Sequence, residues 1–315
     1  MVTVNVLMST YNGADFLKDQ IESILNQIGV KIKLFIRDDG SSDNTVQIAE
    51  AYEDIVVIKG DNIGVGASFM KLLYECPAAD YYAFADQDDI WDSDKLISAV
   101  NFLKKQSYLP ALYVSNQRCV DKQLNFLNKR FDSVFPTQTL LNVLFMNLYA
   151  GCTMVLNKKM WEQICAKEKR PPLEFFNHRI HDAWIACVAL SVGTVIYDDQ
   201  PHMSFRRHGN NQTDAEVVRN KHYSFQVRHR LFRSKIQRLI KGNTKRSRGI
   251  EYTAKYLLKG YDSNLTADEK KVLLLVRDYR WNIKYRMKLL LGQIITQYAP
   301  EKSKDIKLKI LFNIL

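Results

Sequence analysis

Three carboxylates crowd into the four residues Asp86-Gln87-Asp88-Asp89, directly after the apolar run Tyr81-Tyr82-Ala83-Phe84-Ala85. Ionised carboxylates packed this closely repel one another. A divalent cation relieves the repulsion, and Mg²⁺ or Mn²⁺ prefers oxygen ligands. The plainer reading is a helix N-terminus, where capping and the helix dipole favour aspartate. That accounts for one aspartate, not for three. A second acidic turn, Asp38-Asp39-Gly40-Ser41-Ser42-Asp43, also follows an apolar run. Alone it reads as an ordinary turn; beside Asp86 on one sheet edge, Asp39 could accept a hydrogen bond from a base or sugar N–H or O–H. His181-Asp182 opens an apolar helical stretch, so Asp182 is either an N-cap or a general base at the lip of the same pocket. His208 lies in the polar run Arg206-Arg207-His208-Gly209-Asn210-Asn211, which needs no packing histidine, and could ligate a metal or touch phosphate.

The elements that must position these groups follow from the hydrophobic pattern. Apolar runs at 3–8, 31–37, 55–58 and 81–85 each end in a polar or acidic turn. Helical spacing separates them, beginning with Leu17, Ile21, Ile24, Leu25 and Ile28, and Asp43 stands where it can cap a helix starting at about Asn44. Strands alternating with helices through short turns predict an α/β domain with a mostly parallel sheet, whose ligands bind at the C-terminal ends of the strands. Further on, the pattern predicts a helix over 93–105, β-rich stretches at 111–120 and 151–156, a short helix over 158–167, and strands at 194–197 and 203–206. Between the β-rich stretches lies a looser segment with Phe131, Phe135 and Pro136. Trp91 and Trp184 read as packing residues. Gly64-Val65-Gly66 opens like a dinucleotide fingerprint, but Phe69 stands in the place of the third glycine, and no P-loop motif is present.

The chain has 315 residues, 46% of them hydrophobic, which excludes wholesale disorder and a disulfide mini-scaffold. Its net charge of +11 is an average over two unlike parts: residues 1–218 carry −6 and residues 219–315 carry +17. This predicts two regions, a catalytic body over 1–218 and a basic helical extension over 219–315. The five cysteines are scattered without CxxC spacing, which points to buried thiols in a reducing compartment and away from zinc. With neither a signal-peptide pattern nor 18 consecutive apolar residues, the expectation is a cytoplasmic protein, at most peripheral on the inner face of the cell membrane.

Ser9-Thr10-Tyr11-Asn12-Gly13, the Asp38–Asp43 turn, Asn62-Ile63-Gly64, Phe84-Ala85-Asp86-Gln87-Asp88-Asp89-Ile90-Trp91 and His181-Asp182-Ala183-Trp184 together resemble family 2 glycosyltransferases of the GT-A fold. The Asp-Gln-Asp-Asp-Ile-Trp run, Gly151-Cys152-Thr153-Met154 and Arg207-His208-Gly209-Asn210-Asn211 resemble in particular the bacterial rhamnosyltransferase-like branch, which builds cell-wall, capsule and O-antigen polysaccharides. The resemblance implies a nucleotide-sugar donor, dTDP-rhamnose first and UDP-hexoses next, and a saccharide or lipid-linked saccharide acceptor. Thr10, Tyr11, Asp39 and Asn62 would then line the donor site. Asp86 and Asp88 match the family's DXD motif, with Asp88 the direct ligand of Mn²⁺ or Mg²⁺ and Asp86 also facing the donor. His208 falls where a further metal or pyrophosphate contact is often supplied, and Asp182 matches the catalytic base. Many relatives read Glu-Asp where this chain has His181-Asp182, although the rhamnosyltransferase-like branch commonly has His there. One base and one metal imply a single displacement with inversion.

The extension lies outside this resemblance. Its clearest periodic stretch puts Ile283, Met287, Leu290, Leu291, Ile294 and Ile295 on one face, with Lys284, Arg286 and Lys288 elsewhere. Basic amphipathic helices of this kind either lie on anionic membranes or pack on the catalytic body; a homo-oligomer is compatible with both. The rival class is a protein without transferase activity that binds nucleic acid or membrane through its tail, with Lys245-Arg246-Ser247-Arg248 as phosphate contacts. Against nucleic acid stand the acidic body and the lack of any recognised nucleic-acid-binding motif.

Overall fold

The computed structural model describes residues 1–130, 138–147, 149–208 and 248–311. The segment around Phe131, Phe135 and Pro136, residues 209–211 of the polar run after His208, Lys245-Arg246-Ser247 and the boundary at 218 lie outside the described residues.

The first 85 residues alternate strand and helix: β1 (Thr3–Thr10), α1 (Leu17–Leu25), β2 (Lys31–Asp38), α2 (Thr45–Glu50), β3 (Ile55–Lys59), α3 (Val65–Glu75) and β4 (Tyr81–Ala85). These strands have apolar centres and pair in parallel in the order β3-β2-β1-β4. Parallel sheets need both faces covered, which is why such strands read as continuous apolar runs. Register does the positioning. Thr10 lies opposite Asp38, Asp38 opposite Lys59, and Met8 opposite Ala85. The four polar turns are thereby brought to one edge.

Beyond β4 the sheet is mixed, which corrects the expectation of a mostly parallel one. The elements are β5 (Ile90–Trp91), α4 (Lys95–Lys104), β6 (Ala111–Val120), β7 (Phe126–Arg130), α5 (Leu140–Phe145), β8 (Val155–Asn157), α6 (Lys158–Cys165), α7 (His181–Val192) and β9 (Thr194–Arg206). Strand β8 runs antiparallel between β4 and β6, β6 and β9 are parallel, and β5 and β7 add antiparallel edges. The predicted strand over 151–156 shrinks to β8, because Gly151–Thr153 forms a 3-10 turn. The two strands expected at 194–197 and 203–206 are one strand whose register with β6 shifts at Asn116. Near the start, Leu17, Ile21 and Ile24 are buried, whereas Leu25 and Ile28 of the same predicted face are exposed, because α1 ends at Leu25. The expected cap is corrected: α2 starts at Thr45 with Asn44 in the cap position and no side-chain cap, and Asp43, one residue earlier, accepts from the Thr45 amide through Oδ1 at 3.0 Å.

The described part of the extension forms α8 (Gly249–Gly260), α9 (Ala267–Asp278), α10 (Ile283–Leu291), α11 (Ile294–Tyr298) and α12 (Ser303–Leu311). A capping box at Thr266 and Glu269 starts α9, and the Asn282 side chain starts α10. Leu257, Tyr261, Leu273, Val276 and Leu289 join Trp184, Phe175 and the α3 side chains in one continuous apolar cluster. The Tyr261 hydroxyl donates to the Gln163 carbonyl at 2.9 Å, and Asn142 Nδ2 to the Tyr298 carbonyl at 3.0 Å. A buried Arg280–Glu251 ion pair ties α8 to the end of α9. The face expected on 283–295 is buried only in part: Leu290, Ile294 and Ile295 pack on the core cluster. Gly292 breaks the stretch into α10 and α11, Leu289 and Ile295 are buried, and Ile283, Met287 and Leu291 point to solvent. Among the described residues no helix is long and apolar enough to cross a membrane.

Candidate active site

Three turns at the strand ends are stitched into one rim by their own polar side chains. Asn12, at φ 46°, accepts from the Ser42 amide at 2.8 Å while its own amide donates to Ser41 Oγ at 2.9 Å. The Gly13 and Ala14 amides donate to Thr45 Oγ1 and Asp43 Oδ2, at 2.8 and 3.1 Å. Asp38 accepts from Thr10 Oγ1 at 3.1 Å and from the amides of Gly40 and Ser41. Thr10 is therefore a buried anchor under the rim, and Tyr11 and Asn62 are exposed on it.

Asp39 is 2% exposed. Its Oδ1 accepts from the Arg37 guanidinium and from the Ile63 amide, and its Oδ2 from the Gly64 amide, both amides at 2.9 Å. It fastens the β3–α3 loop to β2, and one Oδ2 lone pair has no partner among the described residues. Arg37, which no sequence motif singles out, also donates to the Asp61 carbonyl at 2.9 Å and to Ser68 Oγ at 3.0 Å. Its signal is a lone arginine after the apolar run Leu34-Phe35-Ile36, which only a buried acidic partner makes tolerable.

The Asp86–Asp89 cluster splits into three environments. Asp86 is half-buried, and its carboxyl is pushed up to about 7 by burial, then by the charges of Asp88 and Asp182. Asp88 pairs with His208, Oδ2 to Nε2 at 2.7 Å. Asp89 is fully buried and pushed well above the carboxylate range by burial and its acidic neighbours; its Oδ1 accepts from the Arg206 amide at 3.2 Å. Gln87, which carries no sequence signal beyond its place in the motif, turns back onto Tyr11.

The sequence groups Asp86, Asp88 and His208 as metal ligands. Among the described residues, the one trio with ligand atoms within 4.8 Å of one another is Asp86, Asp89 and Cys152. That trio already holds a cation. Lys95, 1% exposed, donates to the Cys152 carbonyl at 2.8 Å and offsets the charges of Asp86 and Asp89. Burial pushes the Cys152 thiol well up, so it stays protonated and is a poor ligand. Asp88 and His208, both largely buried, form a carboxylate–imidazole donor pair, and Asp86 beside them feels the charge of Asp88. The expected trio of Asp86, Asp88 and His208 is not gathered within 4.8 Å among the described residues, but its two carboxylates and imidazole are donor types that Mn²⁺ accepts more readily than Mg²⁺.

Asp182 sits in the first turn of α7, next to buried His181. Its carboxylate accepts from the Ala183 amide, and burial pushes it up to about 6 against the lowering pull of that amide, Arg179 and the Gly151 amide. The reading of Asp182 as an N-cap is corrected: Ile180 is the cap residue, and no side chain caps the helix. His181 is held neutral, down at about 3, by burial between Phe69 and Phe84. Trp91 and Trp184 are buried packing residues, as expected. The carboxylates of Asp86 and Asp182, remote in sequence, thus face one another electrostatically at the edge where the β1, β2 and β3 turns meet.

The glycosyl transferase family 2 model matches residues 5–162. The dTDP-rhamnosyl transferase RfbG of Shigella flexneri is 30% identical over 250 residues, an alignment spanning 70% of this chain and 82% of that protein. The putative teichuronic acid biosynthesis glycosyltransferase TuaG of Bacillus subtilis is 35% identical over 109 residues, 33% of this chain and 43% of that one. In fold, the chain is similar to S. aureus TarS 1–349 in complex with UDP, with a TM-score of 0.54 at 16% identity, covering 98% of this chain and 90% of that one. With the acidic rim and the α/β sheet that carries it, these matches make the chain a member of glycosyl transferase family 2, a glycosyltransferase of the GT-A fold with a helical C-terminal region.

Proposed function

We propose that the protein moves a sugar, with inversion, from a nucleoside-diphosphate donor to a hydroxyl of a saccharide or lipid-linked saccharide in bacterial cell-surface polysaccharide synthesis. dTDP-rhamnose is the first-choice donor, supported by the likeness to RfbG over most of both chains; a UDP-hexose is the second, supported by the UDP-bound relative of like fold. The observation that carries the reading is the convergence of Asp182 with Asp86 and Asp88 on the sheet edge bounded by the Tyr11, Asp39 and Asn62 turns. Asp182 acts as general base: with its carboxyl near 6 it is ionised at neutral pH yet still basic enough to take the proton of the attacking hydroxyl. Tyr11, Asp39 and Asn62 bound the nucleoside, with Thr10 holding the turn from beneath. Asp88, His208 and Asp86 would hold Mn²⁺ or Mg²⁺, which when bound neutralises charge on the departing diphosphate.

Two measurements test this. Asp182→Asn keeps an acceptor for the Ala183 amide but cannot take a proton, so transfer falls by about 10²–10⁴-fold while donor affinity stays within a few-fold. Near-normal turnover of that variant would remove Asp182 as the base. A thermal-shift screen of nucleotide sugars with and without Mn²⁺ identifies the donor: stabilisation by dTDP-rhamnose alone supports the first choice, and stabilisation by UDP-hexoses alone replaces it.

A further inference from the structure

Helix α10 turns one face to the body and leaves the other uncovered. Leu289 is its buried contact, while Ile283, Met287 and Leu291 are 65%, 42% and 77% exposed. Spaced at i, i+4 and i+8, they lie about 40° apart around the axis and form one continuous apolar ridge. Contiguous apolar ridges are uncommon on monomer surfaces, and isolated exposed residues would need no explanation. Lys284 and Lys288, both exposed, run along the flank of this ridge, and α10 contains no acidic residue. The next helix against it, α12, adds exposed Lys304, with Lys302 just before it, and Lys307 donates to the Gly292 carbonyl at 3.2 Å, fixing α12 to the end of α10.

We infer that the Ile283–Met287–Leu291 ridge of α10 is a docking surface for an anionic lipid bilayer, with Lys284 and Lys288 engaging the headgroups. An apolar stripe bordered by lysines, on a helix that also carries Arg286, has the chemistry of an interfacial helix. The ridge enters the headgroup boundary and the ammonium groups stay in the polar layer. The charge complementarity selects the occupant. A second copy of this chain docking ridge to ridge about a two-fold axis would bring Lys284 and Lys288 against their own counterparts, with no carboxylate on the helix to offset them. An anionic leaflet gains from the same charges that such a dimer would have to oppose. This surface is independent of which sugar is transferred, and its test is a binding measurement without turnover.

The full-length protein is floated with vesicles of phosphatidylglycerol and phosphatidylcholine in equal parts, and with vesicles of phosphatidylcholine alone, at physiological ionic strength. The expected result is flotation with the anionic vesicles only. Ile283→Ser/Met287→Ser/Leu291→Ser weakens binding about tenfold or more, and Lys284→Gln/Lys288→Gln weakens it about fivefold per lysine. All five side chains are exposed, so an unchanged thermal melt is expected for both variants. Met287→Trp supplies a reading from an otherwise intact surface: its emission moves to the blue with anionic vesicles. Wild-type protein that stays with the soluble fraction, a triple variant that binds undiminished, or a Met287→Trp emission that ignores the vesicles each overturns the assignment. Loss of a wild-type dimer in the triple variant, without vesicle binding by either, would give the ridge to a second copy instead.

Discussion

Gln87 and Tyr11 exchange two hydrogen bonds: the Tyr11 amide donates to Gln87 Oε1 at 2.8 Å, and Gln87 Nε2 donates to the Tyr11 carbonyl at 3.1 Å. A side-chain amide thus pairs with a backbone amide as a neighbouring strand would, and it locks the β1–α1 turn to the acidic turn after β4. The same contact explains Gly13, where a Cβ would lie 2.3 Å from Gln87 Oε1. The residue between two acidic groups of the motif holds the β1–α1 turn in register with the charge-bearing one.

Gln87→Ala should therefore act on donor binding more than on stability. Both lost bonds lie at an exposed turn where water replaces the partner, so unfolding free energy falls by about 1 kcal/mol or less. Loss of loop order raises KM for the nucleotide sugar about five- to tenfold with kcat changed less than twofold. Steady-state kinetics at varied donor concentration separate the two. A fall confined to kcat would place Gln87 at the reacting centre and not on the loop.

Much of this rim was legible in the sequence because parallel register converts strand ends into neighbours: Asp38, Asp39 and Asp86 needed only the apolar runs before them to be found. Asp182 was legible both as a helix start and as a base at the lip of the same pocket, but its nearness to Asp86 depends on how α7 packs, which the sequence does not show. Arg37 and Lys95 were not legible as site residues at all. A buried charge is explained only by partners that tertiary packing supplies, Asp39 for one and the Cys152 carbonyl for the other. In α10 the periodicity was correct and the burial only in part, with Leu290 packed and Ile283, Met287 and Leu291 exposed, because the pattern identifies an apolar face without saying what covers it.

Lys95→Met tests the resident cation. Its ammonium is buried, pushed down to about 8 by burial, and it offsets Asp86 and Asp89. Removal leaves buried negative charge unpaired, a change that costs about 3–5 kcal/mol in such sites. The loss should be larger at pH 8 than at pH 5, where the raised carboxyls of Asp86 and Asp89 are protonated and need no partner. Urea unfolding at the two pH values measures this, and Lys95→Met/Asp89→Asn should recover part of the deficit. Equal losses at both pH values would mean that Lys95 matters for packing alone.

Gly151→Ala probes the packing beneath Asp182. A Cβ there would stand 2.6 Å from His181 Nε2 and 3.5 Å from the Asp182 Cβ. The imidazole cannot swing aside freely, because Phe69 and Phe84 pack its ring at centroid distances of 4.3 and 5.4 Å. The variant should lose about 1–3 kcal/mol from overpacking, and transfer should fall with it as Asp182 is displaced. His181→Ala in the same chain removes the collision, so the double variant should melt above Gly151→Ala alone. If it melts lower, the two positions are not coupled through the ring.

The pH dependence follows from Asp182. Its carboxyl rises from an ordinary 3.8 to about 6 on folding, so the folded state binds this proton more tightly than the unfolded chain does. The stability it confers is complete below the unfolded value and is lost as pH rises through about 6. Catalysis has the opposite sign, because only the ionised carboxylate can accept a proton. Transfer should therefore fall about tenfold per pH unit below 6 over the same interval in which the fold gains stability. Asp182→Asn removes the ionisation, so its melting temperature should exceed that of the wild type at pH 8 and converge with it near pH 4. Melting curves across that range, run beside the pH–rate profile of the wild type, read both signs from one group. If the two proteins differ by the same amount at pH 4 and pH 8, the Asp182 carboxyl is not strained by burial, and the acid limb of the rate must come from another residue.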